Sequence, residues 1–207
     1  MDKSPLENHY DTLYSDSKPT FGGEKGEPEE FVQKIISYIK EGAVLELGSG
    51  QGRNALWLGR KGFNVEAQDI SSVGIENINR VAKEENLTVI GQKADSRESP
   101  KKLYDVVIST YMFHHLTKDE SLKIFNEIKN HTNSHGLNVI TTFTKVGDFF
   151  NNKPNTDRYY PEPGEIKEIY KDWNVLEYEE VKTKTRQTNE DGSPMFNVSA
   201  KIIAKKP

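Results

Sequence analysis

The sequence predicts a doubly wound α/β fold: a seven-stranded, mostly parallel sheet that ends in an antiparallel C-terminal hairpin strand. Three observations carry that prediction. Short apolar runs alternate with segments of helical periodicity, the pattern that wraps helices around a parallel sheet. A glycine-rich loop at 48–52 follows the first apolar run directly, where doubly wound folds hold their ligands. The end of the chain instead carries two alternating segments, about 174–186 and 195–205, on either side of Asn189-Glu190-Asp191-Gly192, a hairpin signal.

Residues 1–27 mix Pro, Gly, Ser and charges around Tyr10, Tyr14 and Phe21 and include Gly22-Gly23-Glu24-Lys25-Gly26. They read as a flexible N-terminal arm, a lid ahead of one domain over 28–207. From 28 to 41, Phe31, Ile35 and Ile39 recur every four positions with Val32 and Ile36 beside them, an amphipathic helix that Gly42 ends. Residues 43–47 form a short strand running into Gly48-Ser49-Gly50-Gln51-Gly52. A helix over about 52–61 stops at Gly62, and 63–68 is strand-like up to Asp69. Ile75, Ile78 and Ala82 mark a helix after Ser71, and a third strand near 89–94 ends at Asp95.

Residues 103–109 read as a buried strand, and Thr117-Lys118-Asp119-Glu120 is a capping box opening a helix with Leu122, Phe125 and Ile128. Gly136 introduces a strand over 137–143, a polar loop fills 144–161, and Ile166, Ile169, Tyr170 and Trp173 line a helical face. The expected order is a leading helix, five strand–helix units and a hairpin.

Composition narrows the function. At 207 residues the chain has the length of one domain. Its 28 Lys+Arg against 32 Asp+Glu leave a net charge of −4, which argues against wrapping nucleic acid by counterion release. No apolar run reaches the ~20 residues of a membrane span, and the first residues lack the order of a signal peptide, so a soluble, cytoplasmic protein is expected. With no cysteine, thiolate metal sites and cysteine nucleophiles are excluded.

In such a sheet the chemistry sits beyond the carboxyl ends of the strands. The first strand end offers Glu46, Gly48, Ser49, Gly50, Gly52, Arg53 and Asn54; the next two offer Asp69 with Ile70 and Asp95 with Ser96; the fourth offers Thr110 and Tyr111. The glycines follow G-x-G-x-G, without the later third glycine of dinucleotide sites, and Arg53 stands where a pyrophosphate would be crowded. Asp69 lies 21 residues after Gly48, about the offset at which an acidic group takes ribose hydroxyls, and Asp95 could accept from an adenine amino group. Glycine after a strand is often only a turn, and an acid at a strand end is often only a helix cap. Their recurrence at successive strand ends favours a nucleoside, and S-adenosyl-L-methionine suits the set better than NAD: carboxylates for its adenosine, loop amides for its own carboxylate.

The stretch VLELGSGQGRNALWLGRKGFNVEAQD resembles motif I and the following strand of class I S-adenosylmethionine methyltransferases, which have a Rossmann-like sheet. More narrowly it is similar to the tellurite-resistance methyltransferases of the TehB type. The likeness runs through ENL at 85–87, YDVVIST at 104–110, GLNVI at 136–140 and YKDW at 170–173, and on into the final hairpin. The resemblance implies that Asn54, Asp69, Asp95 and Thr110 line a cofactor pocket and that S-adenosyl-L-homocysteine is the product. It also implies a small-molecule acceptor, with tellurium or selenium oxyanions as candidates; the arm is more similar to that of generic small-molecule methyltransferases, and its aromatic anchors Tyr10, Tyr14 and Phe21 are expected to close over the bound cofactor. A protein or nucleic-acid methyltransferase and a cofactor-binding regulator without activity are the competing readings.

The family tends to have His-Arg-Thr before the last hairpin turn, where this chain has Arg186-Gln187-Thr188. Arg186 and His115 are therefore the candidate catalytic residues: Arg186 to orient an anion, His115 as a base where the acceptor needs one. Methyl transfer to a soft anion needs none. His114 and His115 equally suit a packed strand end, and Lys182, Lys184 and Arg186 equally suit a solvated sheet edge. His131 and His135 have the spacing of a metal pair, but a helix C-terminus favours histidine for its dipole, and no metal is expected.

Overall fold

The structure is a computed structural model that describes residues 3–15, 26–98, 100–152 and 157–207, with only the backbone of Arg186. After a first helix, α1 (Pro5–Ser15), come α2 (Glu30–Tyr38), β1 (Ala43–Leu47), α3 (Arg53–Arg60), β2 (Asn64–Asp69), α4 (Ser72–Glu84), β3 (Val89–Lys93) and β4 (Tyr104–Thr110). A 3-10 turn, Phe113–His115, leads to α5 (Lys118–Asn130), β5 (Thr132–Gly147), the short α6 (Asp148–Asn151) and α7 (Glu165–Ile169). The hairpin strands β6 (Asn174–Thr188) and β7 (Pro194–Lys205) complete the chain.

The seven strands lie in the order β3-β2-β1-β4-β5-β7-β6. β1 pairs in parallel with β2 and β4, and β7 pairs antiparallel with both β5 and β6. The order reverses between β1 and β4, which opens a crevice at their carboxyl ends. Period-two alternation divides the core between the two faces. Val44, Val65, Ala67, Val106 and Val139 face Phe31, Ile35, Leu56, Leu58 and Ile78 of α2, α3 and α4. Leu45, Leu47, Val107, Ile140 and Ile202 face Phe113, Phe125, Ile128, Ile166 and Trp173 on the other side.

Local chemistry explains the boundaries. The capping box forms as read: the Thr117 hydroxyl accepts from the Glu120 N–H, and the Glu120 carboxylate accepts from the Thr117 N–H at 2.9 Å. Tyr170 and Trp173 of the YKDW segment are core material, with the Tyr170 hydroxyl donating to buried Asn138 Oδ1 at 3.0 Å.

Three expectations change. Among the described residues no helix joins β3 to β4; a turn does, so there are four strand–helix units and not five. The strand expected at 137–143 is β5, which starts at Thr132 and continues to Gly147, because alternating Thr142, Thr144 and Val146 extend its pairing past a bulge after Phe143. The N-terminal arm is a docked helix over Pro5–Ser15, with Glu7 and Asp11 buried. The Ser4 hydroxyl accepts from the Glu7 N–H at 3.2 Å with Pro5 in the first turn, a helix-start signature present in Ser4-Pro5-Leu6-Glu7. Phe21 and residues 16–25 lie outside the described residues. Among the described residues no helix is long and apolar enough to cross a membrane.

Candidate functional site

The glycine loop between β1 and α3 is a tight fold that only this residue type permits. Gly48, Gly50 and Gly52 all have positive φ, and a Cβ on Gly52 would stand 2.6 Å from Ile78 Cγ1. The Gly48 and Ser49 N–H groups donate to the Gln68 carbonyl at 2.8 and 3.0 Å, Gly50 N–H to Asp69 Oδ2 at 2.7 Å, and Gly52 N–H to the Ser49 carbonyl at 3.0 Å. The loop amides expected to meet an anionic group are thus engaged within the chain. What the loop offers is close approach of its backbone.

Asp69 ends β2 with its carboxylate buried. Besides Gly50 it accepts from the Ser71 N–H at 2.9 Å, and burial raises its proton affinity above the usual carboxylate range. Asp95, past β3, is gripped by Arg97, whose backbone N–H and guanidinium both bond the carboxylate and hold it below that range. Its expected partner, an adenine amino group, would share it with Arg97. Arg53, Ile70, Ser96 and Thr110 sit half-buried around the same strand ends.

Asn54 does not project into the crevice as a free contact. Its Oδ1 accepts from the Glu29 N–H at 2.9 Å, and its Nδ2 donates to Glu46 Oε1 at 2.7 Å and to Thr110 Oγ1 at 3.2 Å. Glu46 is 1% exposed, and its other oxygen, Oε2, has no hydrogen-bond partner among the described residues. Burial pushes its carboxyl up to about 7, against the donation from Asn54 and the charge of Arg53. Ser49 Oγ is likewise buried without a partner there. An unpartnered carboxylate oxygen and a hydroxyl beside a glycine turn fit a ligand that carries a cationic donor group.

Beyond β4 the wall is aromatic. Tyr111 takes a left-handed conformation, φ 56°, with its N–H on the Thr141 carbonyl at 2.7 Å and its ring 4.7 Å from that of Phe143. Backbone strain of this kind gathers at functional sites. His114 packs against Phe143 and Tyr160, and His115 packs on His114 with ring centroids 4.0 Å apart. Tyr10, from α1, hydrogen-bonds His115 Nε2 at 2.7 Å, while Tyr14 lies over Gly50, its hydroxyl 3.0 Å from where a Cβ would be. Burial and the Asp69 charge together raise Tyr10 to about 12.

Sequence reading missed how α1 is held. Asp11 Oδ1 accepts from the Ser71 hydroxyl at 2.6 Å and from the Val73 N–H at 3.2 Å, Lys3 pairs with the same carboxylate, and Glu7 pairs with Lys93 at 2.6 Å. It also missed Arg158, which pairs with Thr117 in an isolated antiparallel bridge and whose charge acts on Tyr10 and Tyr160. Lys182, on the edge strand β6, sits over the Phe196 ring of β7, while the side chain of Arg186 lies outside the described residues. His131 Nδ1 bonds the Glu127 carbonyl at 2.9 Å at the end of α5, and no metal-ligand cluster occurs among the described residues.

The arrangement has known relatives. A probable S-adenosyl-L-methionine-dependent methyltransferase TehB of Haemophilus influenzae is 33% identical over 174 residues, 84% of this chain and 59% of that protein, so the chain spans well under two thirds of that relative. The crystal structure of TehB from Haemophilus influenzae superposes with a TM-score of 0.78 at 27% identity, covering 97% of this chain and 67% of that one. Magnesium protoporphyrin IX methyltransferase (ChlM) from Synechocystis PCC 6803, solved with bound SAH, shares the fold at a TM-score of 0.71 and 16% identity, covering 99% and 96%. The family model described as tellurite resistance protein TehB matches residues 25–199, and the chain belongs to that family.

Proposed function

We propose that this chain transfers a methyl group from S-adenosyl-L-methionine to a small-molecule acceptor and releases S-adenosyl-L-homocysteine, with tellurium or selenium oxyanions as the acceptors to test first. The observation that carries the reading is Glu46 Oε2, buried and without a hydrogen-bond partner beside the glycine loop, with the Asp69 carboxylate across the same crevice. Family membership and the bound SAH of a fold relative support it.

When bound, the cofactor supplies a sulfonium whose methyl group is electrophilic. In this reading Glu46 and Ser49 take its amino-acid end, Asp69 its ribose hydroxyls, and Asp95 with Ser96 the adenine side. Helix α1 covers the crevice as a lid, with Tyr10 and Tyr14 excluding water from the reacting centre. The wall of Tyr111, Phe143 and His114 would hold the acceptor and orient its lone pair in line with the bond to the transferred methyl group. For a chalcogen oxyanion no protein base is needed. For a protic acceptor, His115 Nε2 is the group placed to take the proton, in exchange for its bond to Tyr10.

The test is transfer of labelled methyl to a panel of tellurite, selenite, thiols and phenols. Labelled product with an oxyanion supports the full reading, and product with another acceptor keeps only methyl transfer. Cofactor binding without transfer to any of them would leave a regulator.

A further inference from the structure

We propose that Asn54 is a positioning residue: it holds Glu46 by Oε1, leaves Oε2 for the ligand, and ties that carboxylate to the start of the helix that follows the arm. This rests on the reading of Glu46 as a cofactor contact and adds what sets its geometry. Among the described residues the carboxamide's hydrogen bonds are all internal: Glu29 N–H on Oδ1 at 2.9 Å, and Glu46 Oε1 at 2.7 Å and Thr110 Oγ1 at 3.2 Å from Nδ2. With 3% exposure it has no room to swing out toward a ligand. Side chains so engaged orient a neighbour and do not themselves bind.

The three partners come from different parts of the fold. Glu46 lies in β1, Thr110 ends β4, and Glu29 caps α2, its Oε2 accepting from the Phe31 N–H at 2.7 Å. Glu29 is in turn held by Lys201 of β7, whose Nζ lies 3.3 Å from Glu29 Oε1 and 3.2 Å from Glu179 Oε1. Asn54 is where this chain of contacts meets the crevice, so the start of α2 and the rotamer of Glu46 are set together.

The proton on Glu46 reports the contact. The groups that act on the Glu46 carboxyl are Asn54, Arg53 and the Ala55 N–H of α3, which favour the ionised form, and Asp69 of β2, which with burial opposes it. Donation from Asn54 Nδ2 stabilises the charged form, so its removal raises the carboxyl's proton affinity. A carboxylate that binds a cationic ligand group does so only above its own pKa, and the pH range of ligand binding must move up with it.

The experiment compares the full chain with Asn54→Leu, of similar size and without a donor, and with Asn54→Asp, which keeps an acceptor for Glu29 N–H. The Glu46 carboxyl is titrated by carbon-13 NMR in the free protein, and S-adenosyl-L-homocysteine affinity is measured by calorimetry across pH. In both variants the Glu46 titration should move up by about one unit or more, with the affinity curve following it toward alkaline pH. In a Glu46→Gln background Asn54→Leu, which adds no titratable group, should produce no pH shift. An unchanged Glu46 titration in either folded variant, or an affinity lowered by one factor at every pH, overturns the proposal. If the wild-type protein binds no S-adenosyl-L-homocysteine at any pH, the cofactor reading fails on its own, and the NMR titration still decides the role of Asn54.

Discussion

The Tyr10 hydroxyl lies 2.7 Å from His115 Nε2, so the first helix of the chain is bonded directly to the turn that follows β4. A segment whose composition suggests a loose arm is thereby joined to the wall of the candidate acceptor site. Asp11, the next residue, makes the second tie through the Ser71 hydroxyl, and Ser71 in turn donates its N–H to Asp69.

Docking of α1 should therefore depend on both ties. In Tyr10→Phe, amide exchange across residues 5–15 should speed up by roughly three- to tenfold, for a hydrogen bond of about 1 kcal/mol. Asp11→Ala, which also leaves Ser71 and Val73 donors buried, should speed it further. Mass-spectrometric exchange with protection unchanged in both variants would show that α1 is held by other contacts.

Asp69→Ala should weaken S-adenosyl-L-homocysteine binding by about 1–3 kcal/mol, because ribose hydroxyls lose their acceptor. It should also lower the melting temperature, since the Gly50 and Ser71 N–H groups lose theirs. Calorimetry on the folded variant showing wild-type affinity would remove Asp69 from the ribose site.

Glu46 makes the stability of the free protein depend on pH. Its carboxyl rises from an ordinary 4.5 to about 7 on folding, so between those values the folded state binds more protons than the unfolded one. The contribution is thus fully present below 4.5 and falls away as pH climbs to about 7. At about 1.4 kcal/mol per unit, the loss is on the order of 3 kcal/mol. Glu46→Gln should melt higher than the wild type at pH 8, and the gap should narrow toward pH 4.5, because the amide never ionises. A wild-type gap independent of pH in thermal melts would contradict the raised carboxyl.

Two guanidinium groups can be compared as anion contacts. Arg158 is bridged to Thr117 beside the histidine turn, and its charge acts on Tyr10 and Tyr160. Arg186 stands in β6 near the hairpin turn. If an anionic acceptor is methylated, Arg158→Gln should raise its KM several-fold without altering cofactor affinity, and Arg158→Lys should recover only part because the bidentate fork is lost. Arg186→Ala should do the same if the hairpin reaches the acceptor. Unaltered KM for every acceptor the wild type methylates would exclude the residue concerned.

Much of the fold was legible in the chain because local patterns and the sheet agree. The buried apolar run at 103–109, the Thr117 capping box and the glycine punctuation at Gly48, Gly50 and Gly52 each act over a few residues, and each reappears in the structure. The gap between β3 and β4 went wrong for the opposite reason. Residues 96–102 hold Pro100 and no apolar face at helical spacing, a local signal that the regular strand–helix repeat on either side overrides.

By itself, then, the sequence determined the doubly wound sheet, its antiparallel end and the strand ends that form the crevice, because periodicity and turn chemistry are properties of neighbouring residues. Tertiary structure alone decided which polar atoms are already taken. Asn54 faces Glu29, Glu46 and Thr110 across 25, 8 and 56 positions of chain, and Tyr10 meets His115 across 105. Hydrogen-bond partners so distant along the chain leave no mark in spacing or composition. Only packing brings them together, and only then is Glu46 Oε2 left buried without a partner.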